Sequence, residues 1–256
     1  MTQQSDNLLS KYHVKLLAED ELILAVNKPS GLLVIPDRFD KTIPSLSGLL
    51  HHIYGGIYVV HRIDRETSGL VLFAKTAEAH RHLNDLFEHR KVEKRYLAIV
   101  RGNPESNAWT VDLALREHPA VKGKMMIDQG RGKEAATDFS IVERFEGFAL
   151  VEARPRTGRT HQIRVHLAAG GTPVLGDPVY GDGKPFLLSE VKQAYYGKEE
   201  ERPLLARTAL HASALRFVHP GSGQPMALRA LPPKDFEAIV RNLRKYRAGG
   251  LSPNGR

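Results

Sequence analysis

Short apolar runs recur along this chain, each closed by glycine, proline or a small polar residue, and most have the length of a strand. Leu22-Ile23-Leu24-Ala25-Val26 is the first, and Lys28-Pro29-Ser30-Gly31 follows with Pro at the second turn position and Gly at the fourth. Leu32 to Ile35 runs on, which predicts a strand, a turn and an extended return. Further strands are expected at Tyr58 to Val60, Leu70 to Ala74, Tyr96 to Val100, Trp109 to Leu115, Ala136 to Glu143, Phe148 to Ala153, Ala209 to Val218 and Met226 to Ala230. Two stretches carry the helical period instead. Thr76 can cap a helix to about Arg90 with Ala79, Leu83, Leu86 and Phe87 on one stripe. Pro232-Pro233 opens another, with Phe236, Ile239, Val240 and Leu243 on one face. Strands outnumber helices and many are joined by short turns. The expected class is therefore α+β, with a mixed, mostly antiparallel sheet flanked by helices and loops.

Residues 1–10 and 248–256 read as loose polar tails around a single domain over 11–247. Residues 182–203 are polar with a short apolar centre and read as a surface insertion. Lys+Arg 37 against Asp+Glu 29 gives a net charge of +8, which favours a polyanionic partner, nucleic acid before an acidic membrane surface. With Cys 0, disulfides, thiolate zinc sites and cysteine nucleophiles are excluded. The first residues lack the apolar core of a signal peptide, and no apolar run approaches the roughly 20 residues that span a bilayer. The expected location is the cytoplasm.

The chemistry concentrates in His61-Arg62-Ile63-Asp64-Arg65-Glu66-Thr67-Ser68-Gly69, a carboxylate among cations in a loop between two strands. An isolated Asp in such a turn most often caps backbone N–H groups. Here the neighbouring arginines favour the ionised form, which suits a nucleophile better than a general acid. Glu66 raises the reading of a carboxylate pair for glycoside hydrolysis, but that chemistry needs one acid held protonated, and Arg62 and Arg65 oppose it. Lys94-Arg95-Tyr96 sets a flat ring beside two cations, where a nucleobase could stack and phosphates be met. The plain alternative for Tyr96 is the first aromatic of a half-buried strand.

A third element, Arg154 to Leu167, carries four arginines, at 154, 156, 159 and 164. Thr160 can cap a helix with Ile163 and Leu167 facing the core. Arg164 lies between Ile163 and Val165, so it should be partly covered and in need of a carboxylate. His161 and His166 are five apart rather than the four that place two imidazoles on one helical face, and no site is completed around them, around His51-His52 or around His80 and His82. No metal is expected. Neither glycine-rich phosphate motif is present, so nucleotide cofactors lack sequence support. Leu210 to Pro220 reads as an ordinary strand.

Together these elements resemble the RluA-type RNA pseudouridine synthases, whose His-Arg-Leu-Asp-x-x-Thr-Ser-Gly signature is met here with Ile63 in place of Leu. The resemblance spans roughly residues 20 to 245 and includes Asn27-Lys28-Pro29-Ser30-Gly31 and Gly176-Asp177-Pro178-Val179-Tyr180-Gly181. It implies the pseudouridine-synthase fold with a central RNA-binding cleft, and isomerisation of specific uridines in structured RNA, ribosomal favoured over transfer RNA. It implies no cofactor. Asp64 is then the catalytic nucleophile or base, Arg164 its ion-pair partner, and Tyr96 lies against the target base. Leu215 helps line the uracil pocket, while Arg62, His61, Lys94 and Arg95 hold RNA, Arg62 also filling the gap left by the extruded nucleotide. Many relatives carry an N-terminal S4 module, which is not expected here, and a monomer is expected. Rival readings are a non-catalytic RNA-binding protein that retains the fold and, more weakly, a hydrolytic N-glycosidase.

Overall fold

The structure, a computed structural model, describes residues 3–248 apart from 193, 194, 196, 198 and 199, with side chains from residue 7. In chain order the elements are α1 (Gln3–Lys11), β1 (Lys15–Glu19), β2 (Ile23–Lys28), α2 (Leu46–Tyr54), β3 (Tyr58–Val59), β4 (Ser68–Ala74), α3 (Ala77–Glu88) and β5 (Glu93–Arg101). They continue with β6 (Ala108–Asp112), β7 (Leu115–Glu117), β8 (Met125–Ile127), β9 (Ala136–Phe145), β10 (Phe148–Pro155), α4 (Gln162–Ala169), β11 (Leu210–Val218), β12 (Pro225–Arg229) and α5 (Lys234–Tyr246). The class is α+β, and all the strand pairings below are antiparallel but one.

Two compact units emerge where the sequence suggested one domain. The first holds the residues up to Tyr96 together with Leu210–Pro232, and the second Leu97–Ala209 together with those from Pro233 on. The chain crosses between them within β5, again before Leu210, and at Pro232-Pro233, so composition marks only the last crossing.

In the first unit β2 lies between β1 and β4, antiparallel to both. The other edge of β4 is shared: β11 pairs in parallel at its start, His211 with Ser68 and Ala212 with Gly69, and β3 pairs antiparallel at its end. β12 pairs with β11. Covered on both faces, β2 and β4 are almost wholly apolar, as interior strands must be. Ile23, Ala25, Leu70 and Leu72 face a core closed by Leu83 and Leu86 of α3 and by Leu215 and Phe217 of β11. Leu24, Val26, Val71 and Phe73 face the other core, with Leu46 and Leu50 of α2 and with Ile63, Tyr96 and Ala212. The Thr76 hydroxyl caps α3 as expected, accepting from the Ala79 N–H at 3.1 Å. The residues read as an N-terminal tail instead form α1, and Leu9 is buried.

In the second unit β9 takes β10 on one side and β6 on the other. The run read as one strand from Trp109 to Leu115 is broken: β6 ends at Asp112, and Leu115 starts β7, which pairs with β8. The residues read as a surface insertion contribute to the core through Phe186 and Val191, both fully buried, Phe186 edge-on to Phe148 at 5.5 Å. Of the expected C-terminal tail, Ala248 bridges to Phe145 and the remainder lies outside the described residues.

Candidate active site

Asp64 sits, half-buried, in the loop from Val60 to Thr67 that joins β3 to β4. That loop is clamped from three directions. Its own turn closes with the Thr67 N–H donating to the Asp64 carbonyl at 3.2 Å. The Lys28-Pro29-Ser30-Gly31 turn, with Gly31 at φ 85, grips it from beneath. There the Gly31 N–H donates to Arg65 O at 2.8 Å, and Ser30 Oγ donates to Glu66 O at 2.7 Å. Lys28, fully buried, donates from Nζ to Pro29 O, Leu32 O and Arg65 O at 2.9, 2.8 and 3.0 Å. An ammonium can be held without water where carbonyl oxygens take up its donors.

The third clamp is β11. Gly69, at φ 120, lies so close to the Ala212 backbone that a β-carbon would collide with it. Ser68 Oγ lies 3.0 Å from His211 Nδ1, and His211 Nε2 lies 3.0 Å from Ala230 O. A carbonyl only accepts, so the His211 Nε2–H donates to Ala230 O.

The expected site residues around Asp64 fall into groups. Tyr96 packs against its side of the sheet, and the phenol is raised above its ordinary range, first by burial and then by the Asp64 charge. Tyr96 is thus neutral and within electrostatic reach of Asp64. His61 points inward: its Nε2 accepts the Leu72 N–H at 2.9 Å and its ring stacks on Phe87 at 4.7 Å. Burial, and then the Lys94 charge, pull its pKa down to about 3, so the imidazole is neutral. Lys94 is lowered to about 8, by burial first and Arg90 second. Arg95 is turned onto Glu93, with Nε 2.8 Å from Oε1. Arg62 is exposed, as phosphate contact requires, and Arg65 is turned onto Gly31 O at 3.0 Å.

Leu215 is not gathered with Tyr96. It lies in the core beneath α3, whereas Ala212, three positions earlier on the same strand, shares the core of Tyr96 and Ile63. An odd offset along a strand reverses the face.

In the second unit Arg164 stands on α4, nearly buried. The expected Thr160 cap is not formed. His161 holds the cap position in the left-handed conformation, φ 55, with no side-chain cap bond. A buried network fixes the helix start instead. Gln162 Oε1 accepts the Thr157 hydroxyl at 2.6 Å and the Arg159 N–H at 3.0 Å, while its Nε2 donates to Ala136 O at 2.9 Å. His166 bonds Thr137 Oγ1 and Leu113 O, each at 3.0 Å. The carboxylate seen on Arg164 is Asp177, fully buried, with Nε to Oδ2 at 2.7 Å and Nη2 to Oδ1 at 2.8 Å. Burial alone would raise Asp177, but Arg164 and the N–H groups of Val179 and Tyr180 outweigh it, leaving the acid below its ordinary value and ionised.

Lys28, His211 and Asp177 carry no role in the sequence reading. A lysine ending the apolar run before a Pro-Ser-Gly turn, and an aspartate opening Asp-Pro-Val-Tyr-Gly, were the signals available.

Residues 22–169 match the family model described as RNA pseudouridylate synthase. The chain is 36% identical over 242 residues to the ribosomal large subunit pseudouridine synthase D of Zymomonas mobilis, covering 90% of this chain and 73% of that one. It is 35% identical over 248 residues to the uncharacterized RNA pseudouridine synthase YlyB of Bacillus subtilis, covering 94% and 76%. The solved structure of human RNA Pseudouridylate Synthase Domain Containing 4 aligns with a TM-score of 0.72 at 27% identity, covering 94% of this chain and 97% of that chain. A carboxylate loop clamped on a mixed sheet is thus the frame of an RNA-modifying isomerase. The chain belongs to the RNA pseudouridylate synthase family, whose members convert uridine in RNA to pseudouridine.

Proposed function

We propose that this enzyme modifies uridine in ribosomal RNA, with Asp64 as nucleophile or base, Arg164 as its charge partner and Tyr96 against the uracil. The reaction breaks the N1–C1′ bond, turns the base while it is held, and joins C5 to C1′, with the C5 proton passing to solvent and N1 taking up a proton in its place. No water is consumed, so no second, water-activating carboxylate is required. The observation that carries the reading is the Asp64 loop itself. It is fixed by Lys28, Ser30 and Gly31 below, and its charge is felt by the neutral ring of Tyr96. A neutral phenol beside an anionic carboxylate can stack on a base, a contact worth roughly 1–3 kcal/mol. Arg164 supports the reading as a covered guanidinium already held ionised and oriented. Ribosomal RNA is favoured because relatives named for the ribosomal large subunit cover most of this chain, and the net charge of +8 suits a polyanion. We infer further a monomer that works in the cytoplasm.

The test is tritium release from ribosomal RNA labelled at uridine C5. Asp64→Asn is expected to abolish release while leaving RNA affinity within a few-fold of the parent enzyme. Turnover retained in that variant removes Asp64 from its role, and no release from the parent enzyme on ribosomal RNA removes the substrate class.

A further inference from the structure

The Gly176 to Gly181 motif is left unused by this reaction scheme, yet it surrounds the guanidinium of Arg164. Asp177 meets that group edge-on through two hydrogen bonds of 2.7 and 2.8 Å, which engage Nε and one Nη. Oδ1 is itself fixed by the N–H groups of Val179 at 2.9 Å and Tyr180 at 3.1 Å. The Tyr180 ring covers the flat face, 5.2 Å from the guanidinium carbon. Its hydroxyl accepts the Met125 N–H at 2.7 Å and lies 2.9 Å from His161 Nδ1. The guanidinium is therefore located both in its plane and perpendicular to it.

The loop that presents Asp177 is equally constrained. Gly176 has φ 69 and abuts the Arg207 carbonyl, leaving no room for a β-carbon. The N–H groups of Gly181 and Gly183 both donate to Asp177 O at 3.1 Å. Such a buried pair is a poor device for stability alone, since apolar side chains of similar volume commonly do as well. It is a good device for fixing the direction of a planar cation. Of the five N–H donors of an arginine, Asp177 takes two and dictates where the other three point.

We propose that Asp177, with Tyr180, is a positioning residue of the reaction, holding the Arg164 guanidinium in one fixed orientation. The inference rests on the role given to Arg164 above. Asp177→Asn keeps the shape and removes the charge, so the guanidinium loses its fixed direction. A misplacement of about 1 Å costs on the order of a hundredfold in rate. Folded Asp177→Asn protein, verified by circular dichroism and thermal melting, is expected to lose kcat by about that factor with KM for RNA within threefold.

Arg164→Lys should lose kcat similarly, because an ammonium cannot be held two-pronged. Adding Asp177→Asn to it should then cost little more, since Asp177 acts through Arg164. Losses that multiply in the double variant overturn the proposal, as does wild-type kcat in Asp177→Asn. Full activity in Arg164→Lys instead overturns the reading of Arg164 itself, which separates the two failures. Should Asp177→Asn not fold, Asp177→Glu keeps the charge one methylene out of place: a fall in kcat at constant KM supports the proposal, and unchanged kcat overturns it.

Discussion

A histidine in the Asp64 loop and a glycine at the start of β4 show how single positions set the conditions under which this enzyme works. His61 is held neutral, at about 3 against an ordinary 6.5, and His166 is also lowered, chiefly by burial. Both are depressed relative to the unfolded chain. Their contribution to stability is therefore complete above about pH 6.5 and is lost as the pH falls below it, each unit of His61 shift corresponding to about 1.4 kcal/mol. Urea melts at pH 7 and pH 5 should show the parent enzyme losing stability on acidification. His61→Asn, which cannot titrate, should be less stable at pH 7 but lose less between the two values; equal slopes would show that His61 does not govern the loss. At Gly69 the expectation is simpler. A methyl group at φ 120, against the Ala212 backbone, should cost roughly 3 kcal/mol or more in Gly69→Ala, read from the denaturation midpoint. Asp64 and Tyr96 could be picked out for weighing, as a carboxylate among arginines and an aromatic after two cations, but the roles given to them came from the family resemblance. Leu215 could not, since β11 is apolar on both faces and only the packing tells which one α3 covers.

The elements differ in how plainly the sequence declares them. Strand and helix existence followed the apolar period for β2, β4, β9, β10, α3 and α5. α2 goes unread although Leu46, Leu49, Leu50 and Ile53 are helically spaced behind Ser45, which accepts the Gly48 N–H at 3.2 Å. Its nine residues contain a glycine and two adjacent histidines, which dilute the pattern. The start of α4 was misread for a different reason. Thr160 has the right chemistry for a cap, but the Gln162 amide already satisfies the loop from within, and such a network joins residues far apart in sequence. The Lys28 turn is the element on which the Asp64 loop rests. Lys28→Met would leave three carbonyl oxygens without their donor, a cost of roughly 2–4 kcal/mol by chemical denaturation. It should also lower kcat beyond any loss of folded protein, whereas unaltered kcat per folded molecule would confine Lys28 to stability.

For the molecule as a whole the relevant quantity is charge, since a net +8 is carried without any cysteine, metal or cofactor motif to account for it. RNA affinity should fall steeply with added salt, because each phosphate contact releases counterions. A logarithmic plot of affinity against salt concentration should have a slope of several units; a flat line would argue against binding through phosphates. The fold class was legible in the spacing of strands and turns, but the two units were not, because each is assembled from separate stretches of the chain. That assembly bears on how the enzyme is made. Ser68 and His211 are 143 positions apart, so the strand that receives Ser68 and Gly69 leaves the ribosome long after Asp64, Tyr96 and Arg164 have done so. A nascent chain halted before residue 210 would display Asp64 and still lack the strand on which Ser68 and Gly69 close.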